Sequence, residues 1–202
     1  MKRIIPVLSL VLCSVFAYGQ KMEVKQGDFG FLKGQQQINV EFVYDNLKIH
    51  KDSLSEEEYV KTRIADLEEE TKGKGKNWEK QWTNSREFIF APKFLELMNR
   101  YLHKKENIYF ATDLSDTKYT LVVETVWIYP GWNAAVMRQP SKVSTVLRFV
   151  ETANPDHILA EVTSINAPGR KFGGTFSNED RIGESYAKTG KSFAKLILKN
   201  AF

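Results

Sequence analysis

Between residues 38 and 45 the chain alternates: Ile38, Val40, Phe42 and Tyr44 are interleaved with Asn39, Glu41, Val43 and Asp45. A period of two predicts a strand with one buried face. The pattern then changes. Ser55 followed by Glu58 reads as a capping box, and Glu56 and Glu57 favour the positive end of a helix. Val60, Ile64 and Leu67 come at spacings of four and three, so the helix is expected to run to about Glu70. Lys72-Gly73-Lys74-Gly75-Lys76 should break it as a solvated loop. Trp78 and Trp82, four apart, can share a face of a second short helix. Pro92 suits the first turn of a third, with Phe94, Leu97, Met98, Tyr101 and Leu102 as its apolar stripe.

The second half returns to the period of two. Ile108 to Thr112 is a short strand. Tyr119, Leu121, Val123, Thr125, Trp127 and Tyr129 mark one face of a long strand that Pro130-Gly131 ends. Val143 to Thr152 and Ile158 to Ile165 follow, and Asn154-Pro155-Asp156-His157 between them reads as a hairpin turn. Ser177 with Asp180 opens a last helix, whose apolar face is Ile182, Tyr186, Phe193, Ala194, Ile197 and Leu198. Gln20 to Gln36 is a polar, glycine-rich arm that Phe29, Phe31 and Leu32 should anchor. Strand, helices, a run of strands, then a helix predicts an α+β domain: an antiparallel or mixed sheet with helices packed on one face.

The N-terminus changes the setting. Lys2 and Arg3, the apolar stretch Ile4 to Ala17, and the small residues of Ala17-Tyr18-Gly19 have the order of a secretory signal. Cleavage is expected before Gln20, so residues 1–19 are the signal peptide and 20–202 a single domain in the periplasm or outside the cell. Cleavage after Ala17 is the alternative. No other stretch approaches the roughly 18 apolar residues of a membrane span. Cys13, the one cysteine, lies inside the signal behind Leu12, where a lipid-anchor signal needs a small residue. A cysteine-free remainder has no disulfide, thiol nucleophile or thiolate metal site.

Composition narrows the chemistry. The net charge of +4 includes Lys2 and Arg3 of the signal, which leaves no concentrated positive field of the nucleic-acid-binding kind. Ser185 to Ser192 approximates a phosphate-binding loop, but Ser185 stands where glycine is needed and a helical stripe runs through the segment. It reads instead as a solvated helix face. Ser115-Asp116-Thr117-Lys118 and Lys188-Thr189-Gly190 match two of three penicillin-binding motifs by coincidence. Gly183 to Ala187 lacks the last glycine of a nucleophile elbow. His50, His103 and His157 are scattered without metal-ligand spacing and read as surface residues. No catalytic residue, cofactor or metal is assigned.

Candidate binding residues cluster in one place. Trp127-Ile128-Tyr129-Pro130-Gly131-Trp132-Asn133 puts three large aromatic rings at a strand end and the following loop, where binding surfaces often lie. Trp127 and Tyr129 fit the alternation, so core packing is the competing reading for them. Trp132 lies beyond the Pro-Gly break and is the better surface candidate, with Arg138 as a cationic or hydrogen-bonding neighbour.

Tyr119 to Glu124, Val146 to Glu151 with the turn and Ile158 to Glu161, and Tyr186 to Leu198 together resemble small bacterial envelope domains of the ABC-transporter auxiliary lipoprotein and TolB N-terminal type. The resemblance covers about Lys118 to Phe202. It implies an accessory or interaction module without catalytic residues, acting on an envelope protein or a small ligand. A small-ligand or glycan-binding protein using the aromatic loop is the second expectation, and a hydrolase whose site is assembled from distant residues the third.

Overall fold

The computed structural model describes residues 19–134, 137–169 and 177–202. Residues 1–18 of the expected signal peptide, Cys13 among them, lie outside these, as do Ala135 and Val136. The architecture is α+β: a mixed sheet with helices packed against one face.

The strands are β1 (Lys21–Gly27), β2 (Gln37–Val43), β3 (Lys48–Ile49), β4 (Leu54–Ser55), β5 (Tyr109–Ala111), β6 (Tyr119–Tyr129), β7 (Trp132–Ala134), β8 (Met137–Gln139), β9 (Ser141–Glu151) and β10 (Asn154–Gly169). The main sheet runs β1-β10-β9-β6-β2-β5, with β3 beside β6 and β4 beside β3. The pairs β2–β6, β2–β5 and β3–β6 are parallel, while β6–β9, β9–β10 and β1–β10 are antiparallel. Strands β7 and β8 form a separate hairpin.

Helix α1 (Glu56–Glu70) begins at the capping box. Ser55 Oγ accepts from the Glu58 amide at 3.2 Å, and the Glu58 carboxylate accepts from the Ser55 amide at 2.9 Å. Helices α2 (Lys74–Ser85) and α3 (Ala91–Glu106) are joined without a loop by a π-helical turn, Arg86–Phe90. Pro92 therefore sits within a continuing helical run. Helix α4 (Asn178–Ala201) is capped by Ser177, whose Oγ accepts from the Asp180 amide at 3.0 Å.

One core joins both layers. Leu121 and Val123 of β6, Val143, Leu147 and Phe149 of β9, and Val162 of β10 pack with Phe94, Met98 and Leu102 of α3. Ile182, Tyr186, Phe193 and Ile197 of α4 complete it. Phe29 reaches this core from the N-terminal arm and meets Phe149 and Phe193 edge-on. The sheet's other face is mixed, with Val122, Val146 and Val150 set around an ion-paired cluster. Arg148 bridges Glu124 at 2.6 Å and Glu161 at 2.7 Å, and Asn46 donates to Glu124 at 2.9 Å.

Four local expectations are corrected. The β9–β10 turn is Thr152-Ala153, because Asn154 already pairs with Glu151. Asn154 to His157 form an irregularity in β10, which suits Pro155, since proline has no amide to give a ladder. The expected loop at Lys72 to Lys76 is a tight corner: Gly73 is left-handed, and Lys74 and Gly75 are already helical. A Cβ on Gly75 would stand 2.6 Å from the Ile64 carbonyl oxygen, so glycine lets α2 pack directly on α1. The Ser185–Ser192 segment is unbroken helix, and Ser185, Thr189 and Gly190 are buried rather than solvated. Finally, the arm from Gln20 contains β1, an edge strand paired to β10.

Candidate functional site

The long strand β6 carries two of the aromatic candidates, Trp127 and Tyr129, and a bulge decides where they go. Its register with β9 shifts between Thr125 and Trp127, so Val126 is an extra residue. A one-residue slip exchanges the two faces of a strand. Ile128, not Trp127 or Tyr129, therefore joins the core cluster. Alternation thus puts neither ring in that cluster, although Tyr129 is itself buried.

The two rings stack on each other instead, 6.2 Å apart and 12° from parallel. Trp127 is half-buried, and its indole N–H donates to the His50 carbonyl at 2.9 Å. Tyr129 is buried, and its hydroxyl donates to Gln139 Oε1 at 2.6 Å.

Pro130 and Gly131 then swing the chain into the β7–β8 hairpin. Gly131 has a φ of 72°, and a Cβ there would lie 2.4 Å from the Gln139 carbonyl oxygen, so the turn requires glycine. Trp132 pairs with Gln139, and its indole N–H donates to the same Gln139 Oε1 at 2.9 Å. Trp132 is 43% exposed. Its edge is held while its ring stays open to solvent. Arg138 is exposed on β8, opposite Asn133.

Trp132 and Asn133 border a cleft of about 670 Å³ whose other walls come from distant segments. His50 and Asp52 lie in the connection from β3 to β4. Tyr59, Arg63 and Asp66 follow at spacings of four and three along one face of α1. Asn178 and Arg181 come from the first turn of α4, where the Arg181 guanidinium donates to the Asn178 side-chain oxygen. Two arginines and two aspartates make the walls nearly neutral in sum. Beneath the cleft the His50 ring packs on Tyr59 and edge-on against Tyr129, at 5.4 and 5.8 Å.

Burial holds the His50 imidazole below its ordinary range; Asp52 opposes the shift and Arg63 adds to it. The neutral ring is thus the resting form at neutral pH. Burial also pushes the Tyr59 phenol up to about 12. His103 and His157 are exposed, as expected, whereas His50 is only partly so. Among the described residues no group of three His, Cys, Asp or Glu side chains is arranged to hold a metal. No helix among them is long and apolar enough to cross a membrane.

The sequence singled out the aromatic end of this site and missed His50, Asp52, Arg63, Asp66 and Asn178. The readable signal was Tyr59, Arg63 and Asp66 sharing one helix face next to the histidine-containing turn.

No protein-family model matches the chain, and no curated protein matches it. Among solved structures it is similar to the PelC dodecamer from Paraburkholderia phytofirmans, at 10% identity over 85% of this chain and 96% of that one, with a TM-score of 0.39. A point variant of that PelC gives 11% identity, the same coverage and a TM-score of 0.37. A Helicobacter pylori protein described as a homolog of neuraminyllactose-binding hemagglutinin gives 14% identity over 83% and 91% of the two chains, with a TM-score of 0.27.

Proposed function

We propose that this chain is an exported accessory domain of the bacterial envelope that works by binding, and that the cleft beside Trp132 takes carbohydrate. One observation carries the reading: an indole ring fixed through its N–H to Gln139 and open on its face, at the rim of a cleft walled by polar groups. A sugar ring has a C–H face that packs on an aromatic ring and hydroxyls that need paired donors and acceptors. Trp132 offers the first, and Asp52, Asp66, Asn133, Asn178 and Arg63 the second. The near balance of charge in the walls favours a neutral polar ligand over a nucleotide or other polyanion. The order of charge, apolar run and small residues in positions 1–19 supports export. The resemblance of the second half to auxiliary envelope domains supports an accessory role.

Titrating ¹⁵N-labelled protein with a panel of neutral oligosaccharides tests this reading. Saturable amide shifts are expected at Trp132, Asn133, Arg63 and Asn178. Shifts scattered over the surface, or none at millimolar sugar, would refute it. Turnover of a bound sugar would move the assignment from binding to hydrolysis.

A further inference from the structure

The sheet has two ends, and they are finished differently. At one end β1 carries exposed Lys21 and Lys25 and a register break between Val24 and Gln26. Charged side chains and a bulge are the usual guard of an open edge. At the other end β5 covers only the start of β2, pairing Gln37, Ile38 and Asn39 with Tyr109, Phe110 and Ala111.

The covering strand is turned away by the sequence. Asp113 takes a φ of 62°, and the Leu114 amide donates to Asn39 Oδ1 at 3.1 Å, so the chain leaves the sheet just after Ala111. The Gln36 carbonyl accepts from the Tyr109 amide at 2.8 Å. Backbone groups alternate sides along a strand, so the even residues of β2 face the β5 side. The Phe42 N–H and C=O lie on that side beyond the last pair, and among the described residues no strand pairs with them.

Beside this open stretch runs a groove of about 1120 Å³, with Phe42, Pro92 and Leu95 on its apolar side. Its charged fringe is acidic. Glu41, Glu87 and Asp113 are exposed, whereas the neighbouring Arg86 is ion-paired to Glu56. We propose that this groove docks an extended, lysine- or arginine-bearing segment of a partner protein, which adds to β2 as a strand beyond β5. Backbone hydrogen bonds to Phe42 would fix the segment, alternate apolar side chains would enter beside Leu95, and the acidic fringe would select basic residues.

The test uses an acetylated Lys-Val-Lys-Val-Lys-Val-Lys peptide, the same peptide N-methylated at its valines, and a version with Glu for Lys, each titrated into ¹⁵N-labelled protein. The first should shift the amides of Glu41, Phe42, Val43 and Leu95, and the N-methylated and Glu peptides should not. Glu41→Lys with Glu87→Lys should weaken the Lys peptide by about tenfold or more. Trp132→Ala should leave it unchanged, which separates this site from the carbohydrate cleft. Equal binding of the N-methylated peptide, shifts mapping elsewhere, or no binding of the Lys peptide at millimolar concentration would overturn the proposal.

Discussion

Where α4 crosses α3, Gly190 lies so close to Phe94 that a Cβ would stand 2.4 Å from the Phe94 carbonyl oxygen. The obstacle is backbone, which cannot swing aside. The effect of Gly190→Ala therefore has a diagnostic sign. In an exposed helix, Ala would stabilise by about 1 kcal/mol over Gly. Here the overpacking should destabilise by about 1–3 kcal/mol. Urea unfolding should show a lower midpoint, and a raised one would mean that the helices do not meet at this point.

Acid should act first through His50. Burial lowers its folded-state pKa below the ordinary 6.5. Above that ordinary value the ring is neutral in both the folded and the unfolded chain. As the pH falls below it, the unfolded chain takes up a proton that the folded one resists, so stability drops until the lower folded value is reached. His50→Asn tolerates the positive φ of 64° at this position and removes the titration. Thermal melts between pH 7 and 5 should fall less steeply for the variant than for the parent. Parallel slopes would show that His50 is not shielded.

Alkali should act through three buried phenols. Burial raises Tyr44 and Tyr59 to about 12 and Tyr186 well beyond its ordinary value. Their shared contribution is complete below the ordinary value of 10 and is lost as the pH climbs above it, because the unfolded chain ionises first. Phenolate absorbance followed with circular dichroism should show these three ionising together with the loss of helix. Their ionisation in an intact fold would contradict the burial.

Much of this fold was legible because its signals are local. Ser55 and Glu58 are both ends of one cap, and both bonds form. The α4 stripe is periodic over many residues and is buried as its period requires. What escaped depends on pairing. The slip at Val126 is set by β9, and nothing in Trp127 or Tyr129 announces it. Strand β1 offers only two apolar positions, Met22 and Val24 between Lys21, Glu23 and Lys25, before its register breaks, too short an alternation to read as a strand. At the cleft, Trp132 stood out because a large ring after Pro-Gly has no pleat to direct it inward. Arg63 and Asp66 looked like any solvated helix face until the fold set them beside Asn178.

The central claim is that Trp132 is a binding surface and not a part of the core. Trp132→Ala removes the open ring but no member of the core cluster. The direct measurement pairs a thermal melt with an oligosaccharide titration of the same variant. Stability should stay within about 0.5 kcal/mol of the parent. Loss of a central aromatic anchor should cost about 2 kcal/mol or more of binding free energy. A variant that melts like a core mutant, yet binds as the parent does per folded molecule, would place Trp132 in the core and contradict this account.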